Sequence, residues 1–238
     1  MLRRRGSWVA LVGAGVAMCG AVAVAQASQT PSAGALMHTA LTNAAARGSV
    51  HELEVEKASG VSGSMSDDIS TSEGRQDITH SGGEIAHVLV VGSAAYISGN
   101  QAALTHYFGF PAAVARKVGA GWVSVPSSSS GYQTIAGNAT LSSSLTGLAI
   151  PGHTTETAPT TIEGQSVVGI RGTVAVSGSS HAKVEATLYV SRGAKPLPVE
   201  ATFVYSTGGT LTISLSHWGE KVALSPPPNS IPISDLQP

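Results

Sequence analysis

Between residues 167 and 216 the chain alternates apolar and polar side chains with a period of two, broken at intervals by tight-turn residues. Val168, Ile170, Val174 and Val176 share one side of a first segment. Val184, Ala186, Leu188 and Val190 then alternate with Glu185, Thr187 and Tyr189, and Val199, Ala201, Phe203 and Tyr205 with Glu200, Thr202 and Val204. Leu211, Ile213 and Leu215 alternate with Thr210, Thr212, Ser214 and Ser216, and turn signals fall at Gly178-Ser179, Arg192-Gly193 and Gly208-Gly209. Successive side chains of extended backbone point to opposite faces, and tight turns join antiparallel neighbours. A four-strand antiparallel meander with one dry and one wet face is therefore expected. Only folds that cover one face of a sheet can accommodate it.

The remainder supplies the cover. Leu36, Ala40, Leu41 and Ala44 recur at helical spacing over 34–47, and Gly48 follows as a stop. Val50 to Lys57 alternates strictly, with Glu52, Glu54 and Glu56 on the face expected in solvent and Leu53 and Val55 on the face expected in the core. Residues 60–84 are polar and read as short strands with turns at Asp67-Asp68, Glu73-Gly74 and Gly82-Gly83. A hairpin over 85–91 and 95–98 turns near Gly92-Ser93, its first strand apolar on both faces and so central. Two short helices over 100–108 and 112–118 flank Pro111, a short strand covers 122–125, and 133–148 reads as helix. Residues 127–130 and 151–161 read as connectors, and the end as Trp218-Gly219, a short strand and Pro226-Pro227-Pro228. The order helix, strands, helices, strands predicts an α+β fold with helices gathered on one face of a curved antiparallel sheet.

The N-terminus reads as an address. Arg3, Arg4 and Arg5 precede an uncharged apolar run from Trp8 to Met18, and Ala25-Gln26-Ala27 offers an A-x-A cleavage site. The expected organisation is a signal peptide over 1–27 and a single domain over 28–238, placed outside the cytoplasm. Val16-Ala17-Met18-Cys19 resembles a lipobox, but Met18 is too large for the position before a lipidated cysteine, which weighs against a lipid anchor at Cys19. Removing 1–27 takes three arginines and leaves ten basic residues against fourteen acidic ones. That balance gives no positive footprint for nucleic acid. Cys19 is the only cysteine, so the mature part can form no disulfide, thiolate nucleophile or cysteine-based metal site.

A search for chemistry returns little. No G-x-S-x-G elbow or P-loop occurs. Ser180-His181-Ala182-Lys183 fits S-x-x-K, but Lys183 lies on an expected strand and K-T-G is missing. Eight histidines include no H-x-x-x-H pair, and His87 reads as a hydrogen-bonded structural residue. The glutamate run could bind a cation, yet carboxylates on one strand face are ordinarily solvated, and the D-x-D-x-D-G comb of a calcium loop is absent. Asn138-Ala139-Thr140 is a glycosylation sequon by pattern alone. No metal site, cofactor or catalytic residue is assigned. A dry sheet face, helices to lid it and only 11% charged residues fit an apolar cavity; a dry face that simply packs on the helices fits equally.

Further features resemble a known family. Tyr96-Ile97-Ser98-Gly99 closes the early hairpin, and Trp122-Val123 sits between helices. Ala186-Thr187-Leu188-Tyr189-Val190 precedes Pro196-Leu197-Pro198-Val199, and the end runs Ser216-His217-Trp218-Gly219-Glu220-Lys221-Val222 to Pro226-Pro227-Pro228. In element order, over 34–236, the chain resembles the LppX/LprG/LolA-like group of secreted or lipid-anchored envelope proteins (LppX_LprAFG-like). The resemblance implies a half-barrel, a strongly bent sheet wrapped around helices. It implies carriage of a lipid or acylated envelope molecule in an apolar cavity between sheet and helices, without an enzymatic activity. The residues expected to line that cavity are Leu53, Val55, Val168, Ile170, Leu188, Phe203, Ile213 and Leu215, each of which serves equally as plain core. Trp122 and Trp218 are expected at the sheet edge. Two alternatives stand beside carriage: an extracytoplasmic sensor or regulator that binds a membrane or envelope protein partner, and a hydrolase with sequence-distant carboxylates, which paired acids at the floor of a cleft would favour.

Overall fold

The computed structural model describes residues 32–58, 61–137, 139–175, 183–206 and 208–236. The signal segment with Cys19, the sequon asparagine Asn138, the Gly178-Ser179 turn, Val176 and Ser180 to Ala182 lie outside them. The chain opens with α1 (Ala33–Ala45) and five strands: β1 (Ser49–Ala58), β2 (Val61–Ser70), β3 (Gly74–His80), β4 (Ile85–Val91) and β5 (Ala94–Gly99). Then follow α2 (Gln101–His106), α3 (Ala112–Val118), β6 (Val123–Pro126), α4 (Tyr132–Ala136) and α5 (Leu141–Leu148). The C-terminal part holds β7 (Thr155–Glu156), β8 (Thr160–Ile162), β9 (Gln165–Ala175), β10 (Lys183–Ser191), β11 (Pro198–Tyr205), β12 (Thr210–Ser216) and β13 (Ile231–Pro232).

All of these strands join one unclosed, curved sheet in the order β13-β6-β5-β4-β3-β2-β1-β12-β11-β10-β9-β7, with β8 also on β9. The expected α+β class and the β9–β12 meander are observed. Every pairing is antiparallel except that of β13 with β6. Four local expectations need correction. Asp67-Asp68 lies within β2 and is not a turn, because β1 and β3 hold it from both sides. The 133–148 helix is broken into α4 and α5, with Thr140 capping α5 through the Ser143 N–H at 3.3 Å. The connector over 151–161 contributes β7 and β8. No strand lies between residues 217 and 230; the last one is β13.

The helices bury the concave face of the sheet in two clusters. Ala33 and Ala40 of α1 and Leu141 and Leu148 of α5 join Ile170, Leu188, Ile213 and Leu215 in the first. Leu104 of α2, Ala115 of α3 and Ala136 of α4 join Val88, Ile97 and Val125 in the second. Gly74 lets the connection before α5 approach β3, since a Cβ there would lie 2.2 Å from the Ala139 carbonyl oxygen.

Candidate functional site

Between the two apolar clusters the concave face turns polar. Directly paired residues of neighbouring strands share a face. One such row runs Ile97–Val88–Gln76–Asp67–Glu52–Leu215 across six strands. Its central members are as buried as its ends: Gln76, Asp67 and Glu52 are 4%, 2% and 3% exposed. The next row runs Ile78–Met65–Glu54–Ile213–Ala201–Leu188–Ile170. Glu54 therefore stands between a methionine and an isoleucine.

This overturns the expected facing of β1. Leu53 pairs with Ser66 and Ser214, and Val55 with Ser64 and Thr212, all on the wet face. Leu53 is 42% exposed, while Glu52 is buried. The register, not the local alternation, decides this. Val50 and Ile69 pair and are fully enclosed, and β12 offers its Leu211, Ile213 and Leu215 row to Glu56, Glu54 and Glu52. A one-residue slip would exchange the faces, and the chain instead accepts the cost of enclosing carboxyl groups.

A cavity of about 500 Å³ opens over these acids. Its apolar side is formed by Met65, Ile78, Leu148, Phe203, Leu211 and Ile213, and its polar end by Glu52, Glu54, Asp67, Gln76, Ser143 and Ser144. Ser144 lies one turn after Leu141 and one before Leu148, so the core-facing side of α5 carries it onto the sheet. Its hydroxyl donates to Glu52 Oε1. The Gln76 amide donates to Asp67 Oδ2 at 3.2 Å, whereas Asp67 Oδ1 is buried without a hydrogen-bond partner. One carboxyl oxygen from each of Glu52, Glu54 and Asp67 lies within 4.8 Å of the others. Other hollows differ in kind. One of about 290 Å³ lies over His51, Asp68, Arg75 and His217, and one of about 530 Å³, beside Ile85 and His87, is more open.

Enclosure raises the proton affinity of all three acids. Burial pushes the Asp67 carboxyl up to about 8, opposed by the Gln76 hydrogen bond and reinforced by Glu54, Glu52 and Asp68. Burial, then repulsion by Glu52 and Glu56, raises Glu54 to about 7. Glu52 is also raised by burial, against the Ser144 bond and the charge of His51. On the opposite face acids are paired instead: Asp68 meets His51 at 2.7 Å, and Asp77 meets both Arg75 and His87 at 2.6 Å. His87 is thus the hydrogen-bonded structural residue expected.

Paired acids in a cleft are what the hydrolase alternative asked for, but their placement does not suit a glycosidase. A glycosidase needs two carboxyls that flank the scissile bond. Glu52 and Asp67 are direct neighbours on adjacent strands, and Glu54 is two residues along, so all three project from one wall. They converge on a point and do not straddle a bond. Such convergence suits a cation or a group rich in hydrogen-bond donors.

Of the eight residues expected to line a cavity, Phe203 and Ile213 do so. Val168, Ile170, Leu188 and Leu215 lie in the first core cluster, filled by the helices. Leu53 and Val55 project from the other face. Trp218 packs at the margin of the first cluster and donates from Nε1 to the Pro198 carbonyl at 3.0 Å. The polar end was missed. Its signal was parity: Val50 shares a face with Glu52 and Glu54, and Ile69 with Asp67 and Met65.

No family sequence profile matches the chain, and no curated protein matches its sequence. Solved structures do. A curved antiparallel sheet that half encloses its helices defines the class. Within it, the Mycobacterium tuberculosis lipoprotein LppX superposes over 81% of this chain and 98% of that one, with a TM-score of 0.54 and 15% identity. The chain has an LppX-like fold. A chain of the Pseudomonas aeruginosa MucA/MucB complex matches at 13% identity and a TM-score of 0.38, over 87% of this chain and 60% of that one. A LolA superfamily protein of Nitrosomonas europaea matches at 10% identity and a TM-score of 0.29, over 79% and 93%. These two scores are too low to support an argument.

Proposed function

We propose that the protein is an extracytoplasmic, non-enzymatic binding protein that holds the hydrocarbon chain of an amphiphile in the cavity between α5 and the concave sheet. The apolar side of that cavity carries the reading. Its volume of about 500 Å³ is within the range of about 300–1,000 Å³ usual for small-ligand sites. Burial of each methylene contributes about 0.8 kcal/mol, so a chain of ordinary length laid over Phe203, Leu211 and Ile213 offsets the cost of ordering it. The LppX-like fold, that of a lipoprotein, fits a place outside the cytoplasm. In this proposal residues 1–27 direct export, and 28–238 is the working domain. Among the described residues no helix is long and apolar enough to cross a membrane.

A protein-partner role has less to stand on. Among the described residues the large exposed apolar side chains are Leu53, Ile85, Tyr107 and Val204. The register aligns Val204 with Thr210 and Lys57, four residues along β1 from Leu53, so Leu53 and Val204 do not merge into a patch. Native mass spectrometry of the protein purified from its own envelope tests the proposal. Bound amphiphile masses are expected, and the I213E variant should lose them. A single unliganded mass that takes up no phospholipid or glycolipid on addition would refute carriage.

A further inference from the structure

We propose that the polar end of the cavity receives a primary ammonium group, so that the amphiphile is amine-headed; this rests on the reading that the cavity takes a hydrocarbon chain. Three observations on the wall itself lead there. Glu52, Glu54 and Asp67 each bring a carboxyl oxygen within 4.8 Å of the other two. An ammonium carries three N–H donors and no acceptor. Oxygens that surround one nitrogen at the charge-assisted distance of about 2.8 Å lie about 4.5 Å from one another. The donors and the acceptors therefore match in number, and the acceptors stand close enough together for one nitrogen to reach all three.

The second observation is independent of the cluster's charge. The Asp67 side chain is almost fully enclosed, lines the cavity, and leaves Oδ1 without a partner. An enclosed acceptor with no donor costs about 1–3 kcal/mol, and more when charged; a ligand N–H would remove that cost. Glu52 and Asp67 are held by Ser144 and Gln76, which donate to one oxygen of each. Each of these two acids thus has one oxygen held by a donor of the chain and acceptor capacity left on the other.

The third observation concerns what else faces the site. Among the described residues lining the cavity there is no lysine, arginine or histidine. The titratable groups there are the three acids and Tyr205 of β11; Glu56 lies next along β1 on the same face, and His51 faces away, bonded to Asp68. The described lining residues thus supply no counter-charge. A divalent cation fits less well. Calcium takes six to eight oxygens, whereas Ser144 and Gln76 already occupy two of the six that the three carboxyls carry. A metal would also have no use for the hydrocarbon wall of Phe203, Leu211 and Ile213, against which an alkyl chain attached to the ammonium would lie.

A head-group series on the full chain tests this by isothermal titration at pH 8, with decylammonium, decanol, decanoate and decyltrimethylammonium as probes. Decylammonium is expected to bind about tenfold or more tighter than decanol, the gain of a charge-assisted hydrogen bond, and decanoate most weakly. The trimethyl head, which has no N–H, should lose the advantage. In E54Q, and in the E54Q/D67N double variant checked for folding by thermal unfolding, the preference for amine over alcohol should shrink and then vanish. Equal binding of all four probes would overturn the ammonium site and leave the hydrocarbon cavity standing. Binding of none would overturn both. Stoichiometric calcium binding that displaces decylammonium would overturn the amine in favour of a metal.

Discussion

Replacing Asp67 by asparagine should stabilise the fold at neutral and alkaline pH and do almost nothing in acid. The Asp67 carboxyl titrates near 3.8 when exposed and is pushed up to about 8 in the folded chain. Between those values the folded chain keeps a proton that the unfolded chain has released. Its contribution to stability is therefore greatest below pH 3.8 and is lost as pH rises toward 8. Each pH unit in that window is worth about 1.4 kcal/mol. Because Glu54 and Glu52 share the same enclosure, the sum over the window is divided among them, and about 2–4 kcal/mol falls to Asp67 at pH 8. Asparagine retains an oxygen for the Gln76 amide and brings an N–H₂ to the neighbouring carboxyls. For a chain of this size about 1 kcal/mol moves the melting temperature by about 2–4 °C, so D67N should melt roughly 4–15 °C higher than the parent at pH 8. Thermal unfolding followed by circular dichroism from pH 4 to 8.5 reads it directly. The two melting curves should coincide near pH 4 and separate as pH rises. If D67N melts no higher at pH 8, or if the gap is the same in acid, Asp67 is not enclosed among acids and the inward facing of β1 is wrong.

Two further substitutions probe the same wall. S144A removes the donor to Glu52 Oε1 and should cost about 1–3 kcal/mol in urea unfolding at pH 8, and less near pH 4.5, where the carboxyls hold their protons. L53K should change stability by less than about 0.5 kcal/mol, as an exposed position does, whereas I213A should cost about 2–4 kcal/mol and weaken uptake of the alkyl probes; the opposite ranking would place Leu53 inside.

Much of the architecture was legible because it is local. The alternation over β9 to β12 carries its own facing: Leu211, Ile213 and Leu215 are separated by Thr212 and Ser214, and no other partner is needed to say which side is dry. Helix α1 was legible from its spacing and from Gly48. The break between α4 and α5 was hidden because serines and glycines leave helical periodicity weak. The two-residue strands β7 and β13 were hidden too, since they exist only by pairing with β9 and β6.

The candidate site was the least legible part. Read alone, Glu52, Leu53, Glu54 and Val55 make a half-buried strand with its acids outside, and hydrophobicity within one strand supports nothing else. The side on which that strand lies is set by its bonds to β12, about 160 residues away, and to β2, whose Asp67 looked like part of a turn. A strand has two faces related by a shift of one residue, and only its neighbours can choose between them. The amino-acid order thus determined that there would be a dry concave face and helices to cover it. Tertiary pairing alone decided that three carboxyl groups would stand in the middle of that face, because the register that encloses Val50 against Ile69 carries Glu52 and Glu54 inward with it.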